Sequence, residues 1–194
     1  MKVDINSTEA KIFSLLQSWG FADLNGDLPE GLEETPARVA KAYKYLLSGY
    51  DMRPDEILKT FPGEGYQQLV LLKDIEIYSL CEHHLIPFTG KAHIGYIPRD
   101  RVVGISKLAR LADCFARRLQ IQERLTEQIT SALMDCLDPV GAACVIEASH
   151  LCMRMRGVEK QNSVMVTSSL KGVFMRNDEF GAAARKEFMD LIGK

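Results

Sequence analysis

A chain of 194 residues, 46% hydrophobic and 26% charged, suits one compact domain, and its composition excludes disordered, collagenous and coiled-coil chains. Lys plus Arg number 24 against 26 Asp plus Glu, a formal charge of -2, so no global basic field draws nucleic acid or an anionic membrane. No apolar run reaches the ~18 to 20 residues of a bilayer-crossing helix, and the opening MKVDINSTEAKIF carries acids where a signal peptide has an apolar core, which predicts a cytoplasmic protein with reduced thiols.

Ser7 or Thr8, followed by Ile12, Leu15, Leu16 and Trp19, predicts a capped amphipathic helix ending at Gly20. Thr35 and Pro36 cap and open a second, with Val39, Ala40, Tyr43, Leu46 and Leu47 inward and a stop near Gly49. Alternation at Ile75, Ile77 and Ser79 predicts a strand ending before Cys81. Another is expected from Phe88 to Ile97, with Ala92, Ile94 and Tyr96 on one face and Lys91, His93 and Gly95 on the other. Ser106 then caps a helix carrying Leu108, Leu111, Ala112, Phe115 and Leu119, and Leu125, Ile129, Ala132, Leu133 and Leu137 mark the next. Residues 142–153 and 163–174 read as strands and 178–192 as a last helix, so the class is α+β with a largely antiparallel sheet. The chain divides into a helical region, 1–62, and a mixed part, 63–194, within one structural unit.

Three of the four histidines sit beside cysteines. Cys81-Glu82-His83-His84 contains a C-x-x-H pair that can bend around one ion, and a Cys/His donor set suits zinc. His150 and Cys152, two apart on the expected strand, project to one face. If the clusters meet, Cys81, His84 and Cys152 give three ligands and leave a fourth vertex for water, with His83 and His150 free as acid or base groups. Cys114 and Cys136 read as core residues on helix stripes, and Cys144 lies roughly 26 Å from Cys152 along an extended strand, too far to share an ion. Lys107, Arg110, Arg154 and Arg156 form a basic set that can hold phosphates or simply face solvent, and Arg117 and Arg118 read as a solvated face. Taken alone, Gln122 and Glu123 are an ordinary polar helix start.

The string Ser79-Leu80-Cys81-Glu82-His83-His84-Leu85-Ile86-Pro87-Phe88 resembles the signature of type I GTP cyclohydrolase. In the same order follow Gly104-Ile105-Ser106-Lys107-Leu108-Ala109-Arg110, Gln120-Ile121-Gln122-Glu123-Arg124, Glu147-Ala148-Ser149-His150-Leu151-Cys152-Met153 and Thr167-Ser168-Ser169-Leu170, so the likeness covers roughly residues 30–192. The resemblance implies zinc on Cys81, His84 and Cys152, catalytic roles for His83 and His150, and a guanine edge read by Gln122 and Glu123. Lys107, Arg110 and Arg156, with Ser106, would hold the triphosphate. It further implies conversion of GTP and water to 7,8-dihydroneopterin triphosphate and formate, the first step of folate and pterin biosynthesis. The implied architecture is the tunnelling fold, a four-stranded antiparallel sheet backed by helices. Its copies would join as a homodecamer of two stacked pentamers with active sites between subunits. Leu119 stands where many relatives have proline and Leu151 where an aromatic is common; neither touches an implied ligand. The H-x-E and P-C-x-x-C pattern of zinc deaminases is absent, and spare histidines beside the cluster argue against a purely structural zinc.

Overall fold

The computed structural model describes residues 3–193, so Met1, Lys2 and Lys194, the outer ends of the two expected segments, lie outside it. The chain begins with α1 (Ile5–Ser18), capped by Asp4, whose carboxylate accepts the Ser7 N–H at 3.2 Å. Asp4 takes the cap expected of Ser7 or Thr8 because a carboxylate there also meets the positive end of the helix dipole. α2 (Thr35–Leu46) carries Pro36 in its first turn, where a missing N–H costs nothing. A short α3 (Pro54–Ile57) leads to β1 (Thr60–Pro62), which pairs antiparallel with β4 (Arg101–Val103).

The main sheet contains β2 (Val70–Cys81), β3 (Pro87–Ile97), β5 (Leu119–Gln120), β6 (Gly141–His150) and β7 (Met165–Gly172), in the order β5-β2-β3-β6-β7. Its four long strands are antiparallel, but the expected four-stranded sheet gains a fifth member: β5 pairs parallel with the end of β2 through Leu80↔Leu119 and Cys81↔Gln120. That pairing takes Leu119 out of the preceding helix, which ends at Ala116.

Side-chain alternation puts different residues of one strand into two cores. Ala92, Ile94 and Tyr96 of β3 and Cys144 and Ile146 of β6 face α4 (Ile105–Ala116) and α5 (Gln122–Leu137), packing on Leu108, Leu111, Leu125, Ile129 and Leu133. On the opposite face Ala143 and Val145 meet Phe174, Phe188 and Ile192 under α7 (Glu179–Ile192). The α5 residues Leu125, Ile129 and Leu133 recur every fourth position and are fully buried, each contributing about 1.5–3 kcal/mol of transfer free energy. β3 and β6 approach so closely that a Cβ on Gly90 would lie 1.9 Å from the Glu147 carbonyl oxygen. No helix among the described residues is long and apolar enough to cross a membrane.

Three further sequence expectations shift. The strand predicted over 142–153 stops at His150, and Cys152 sits in a helical turn, α6 (Leu151–Arg154), so His150 and Cys152 do not project side by side from a strand. β6 runs out of partners there: Phe88 pairs with His150, the next position on β3 is Pro87 without an N–H, and β7 reaches only Ala148. The cap of α4 is Gly104, which places Ser106 inside the first turn. Arg117 and Arg118 are not solvated as expected. Arg117 stacks 4.3 Å from the Tyr45 ring, and Arg118 donates to the Gly49 and Cys114 carbonyls beside Tyr50 and Phe115, fastening the end of α4 to the turn after α2.

Candidate metal centre and its surroundings

Past β2 the backbone curls back on itself. The N–H groups of His84 and Leu85 both donate to the Cys81 carbonyl, at 3.2 and 2.8 Å, and the Cys81 N–H donates to Ile86 O at 2.9 Å. Leu85 adopts φ +55° to close the turn. The curl carries His84 round to the side of Cys81, with Nδ1 3.5 Å from Sγ. Cys152 reaches the same point from α6, and the three ligand atoms all lie within 4.8 Å of one another. No other such group of His, Cys, Asp or Glu occurs among the described residues.

The donor set fits a tetrahedral cation. With zinc bonds of ~2.0–2.3 Å, neighbouring ligand atoms stand roughly 3.4–3.8 Å apart, and the observed sulfur–nitrogen separation falls inside that range. Two thiolates and an imidazole suit a borderline-soft ion, and three ligands leave one vertex open. Burial and the adjacent Cys81 sulfur push the Cys152 thiol above its ordinary range, so loading a cation releases protons.

The turn is held from outside by residues that sequence reading passed over. Glu82 forms an ion pair with Arg124 of α5, which holds its carboxyl below the usual range. Arg124 also donates to Gln120 Oε1 at 2.9 Å and to Leu119 O at 3.1 Å, while the Glu82 N–H donates to Gln120 O at 3.0 Å. Gln120 and Arg124, four apart at the mouth of α5, were the available signal, but their target lies some 40 positions earlier. Tyr43 of α2 completes the support by donating to Leu85 O at 3.3 Å.

The remaining expected site residues divide into two places. His83 is exposed, edge-on to the His84 ring, with Nε2 3.8 Å from Glu82. His150 is half-buried and stacked flat on Phe88, with centroids 4.4 Å apart and planes at 8°. Burial lowers its pKa, and the charge of Glu123 opposes that shift. Its Nε2 lies 2.8 Å from Gln122 Oε1. Arg156 Nη1 sits 3.1 Å from His84 Nε2. His150 and Cys152 share a cavity of about 180 Å³ with Met153 and Met165. Lys107 and Arg110 line a different one, about 550 Å³, together with Arg53 and Lys59, and none of the Cys or His residues above borders it. Ser106 and Glu123 are exposed on the first turns of α4 and α5.

The family model for GTP cyclohydrolase I matches residues 9–193. GTP cyclohydrolase 1 of Methylococcus capsulatus is 54% identical over 166 residues, covering 85% of this chain and 88% of the relative. The protein of that name from Chlorobium chlorochromatii is 48% identical over 190 residues, covering 97% and 82%. Among solved structures, an archaeosine synthase QueF-Like in the apo form gives a TM-score of 0.45 at 17% identity, covering 54% of this chain and 93% of the other, too distant to bear on fold or function. The family match spans the Cys81 turn, both central helices and the His150 strand end, and with relatives 54% and 48% identical over most of its length the chain belongs to the GTP cyclohydrolase I family.

Proposed function

We propose that this chain hydrolyses GTP at purine C8, releasing formate and yielding 7,8-dihydroneopterin triphosphate, in a cytoplasmic homo-oligomer of the tunnelling fold. The observation that carries this reading is the convergence of Cys81, His84 and Cys152 beside a half-buried histidine that ligates nothing. Zinc is the cation we assign to the three donors, where it would supply Lewis-acid activation of water near neutral pH.

The protein's own groups account for binding and proton movement. Glu123, exposed at the start of α5, offers two carboxylate oxygens to the N–H groups of a guanine edge, and Gln122 stands next to it with its amide turned inward. Lys107 and Arg110, with Ser106 on the same turn, and Arg156 beside His84 supply charge for a triphosphate. His150 is the group placed to protonate N7 as the imidazole ring of the purine opens, and exposed His83 exchanges protons with solvent alongside. Because Lys107 and Arg110 border a separate cavity from the Cys/His cluster, we assign each working site to two copies, one giving the cluster and the other the basic turn, as in a decamer of stacked pentamers.

Incubation of the purified zinc-loaded protein with GTP, followed by formate and by the fluorescence of oxidised pterin, tests the reaction. His150→Ala is expected to keep zinc and GTP binding and to lose roughly a hundredfold or more in turnover. Near-normal formate release by that variant would overturn the role given to His150.

A further inference from the structure

Gln122 opens α5, yet its side chain is 1% exposed. Its Nε2 lies 3.0 Å from Ile146 O, 3.0 Å from Met165 O and 3.1 Å from Thr167 Oγ1. Main-chain carbonyls only accept, so the amide must turn its NH2 toward them. Its oxygen is thereby fixed on the opposite side, 2.8 Å from His150 Nε2. An amide oxygen also only accepts, so the imidazole nitrogen facing it has to carry a hydrogen.

From this chain of obligations we infer that Gln122 is a positioning residue that pins a proton on His150 Nε2 and leaves Nδ1 as the atom that exchanges protons with substrate. Ring rotation offers no escape: turning the imidazole over would set the Cε1–H against the amide oxygen and forfeit the hydrogen bond. The flat stack on Phe88 keeps the ring in one plane while this occurs. Nδ1 has no hydrogen-bond partner among the described residues, so it stays available.

A second consequence concerns recognition. Both amide hydrogens of Gln122 are committed to carbonyls of β6 and β7, so presenting them to a guanine edge would break those buried hydrogen bonds. Reading the base from this turn falls to Glu123, and Gln122 acts on rate through His150.

The inference rests on the reading of His150 as proton donor only for its kinetic part, and two measurements separate the failures. Neutron diffraction from deuterium-exchanged crystals of the zinc-loaded protein, grown above neutral pH, is expected to show deuterium on His150 Nε2 and the Gln122 amide deuterons aimed at Ile146 and Met165. A bare Nε2, or an amide oxygen turned to the carbonyls, overturns the inference, and no variant is needed to find out. Gln122→Leu, checked for folding by thermal unfolding, is expected to lose roughly tenfold to a hundredfold in kcat with KM for GTP near the parent value. A raised KM with unchanged kcat would return Gln122 to base recognition. If His150→Ala retains turnover, the functional reading fails while the neutron map still decides the proton's position.

Discussion

Helices α4 and α5 lie side by side, and both begin with residues that the proposed function assigns to GTP, yet they are built in opposite ways. Polar residues of α5 are wired inward: Gln122 to β6, β7 and His150, Thr126 to Thr167 at 2.6 Å, Thr130 to Ser169 at 2.6 Å and Arg124 to Glu82. On α4 the side chains of Ser106, Lys107 and Arg110 make no hydrogen bond or ion pair among the described residues. A satisfied network fixes geometry at a modest net gain of ~1 kcal/mol per bond, whereas Lys107 and Arg110 keep their charge uncommitted for an anion, although Asp51, Glu56 and Asp113 line the same cavity. The difference teaches where each kind of work is done. Proton transfer and metal holding need atoms placed in advance; phosphate capture needs unspent charge, and tolerates a site completed by another copy.

The sharpest way to break this division is to separate the two halves genetically. Cys152→Ser removes a thiolate ligand and is expected to abolish zinc retention and formate release. Arg110→Ala is expected to weaken GTP roughly tenfold to a hundredfold, the worth of a charge-assisted phosphate contact, while zinc content is unchanged. Co-expressed under different tags, the inactive chain and the weakened one should form mixed assemblies in which about a quarter of the sites carry both intact halves, by random assortment in a symmetric ring. Formate assays at sub-saturating GTP on doubly purified material decide it: no recovery would place both halves in one chain.

A smaller effect is expected from the brace between α5 and the metal turn. Arg124 touches no ligand, but through Glu82 and Gln120 it fixes the loop from which Cys81 and His84 project. Arg124→Ala should lower zinc affinity by roughly tenfold in chelator competition, in line with the cost of losing outer support at metal sites, with KM for GTP little changed. Arg124→Lys keeps the charge without the fork and should recover part of the loss. Unaltered zinc affinity in both would show that the backbone bonds of the turn suffice.

Much of this was legible from the sequence, and what was not has an identifiable cause. The C-x-x-H of Cys81 and His84 was readable because its geometry is local, and the stripes of α4 and α5 because a helix repeats every 3.6 residues. Cys152 does lie with Cys81 and His84, but strand parity is not what brings it there, because the strand ends at His150, where Pro87 cannot extend the ladder. Arg117 and Arg118 looked solvated because their aromatic partners, Tyr45 and Tyr50, lie about 70 positions away. The same distance problem hid β5, two residues long and defined only by its pairing with β2, and the inward turn of Gln122, whose acceptors sit 24 to 45 positions further on.

The smallest expected effect lies at the outer end of the α5 network. Glu127 accepts from Ser169 Oγ at 2.6 Å and pairs with Lys171 at 2.5 Å, tying α5 to β7, an end strand of the sheet. Lys171 first, then Ser169, hold its carboxyl below the ordinary 4.5. A carboxyl lowered on folding adds stability that is full above its unfolded value and is lost as pH falls through the folded one. Glu127→Gln should therefore be less stable than the parent at neutral pH, by under about 1 kcal/mol because the pair is partly exposed and screened by salt. The two proteins should converge as pH drops below the ordinary carboxyl range, since both then hold a neutral group at 127. Other acids titrate in both chains, so the difference between their urea midpoints isolates this one. A gap that persisted in acid would show that the charge of Glu127 is not what stabilises this end of the network, since the amide oxygen of the variant can accept from Ser169 as the carboxyl does.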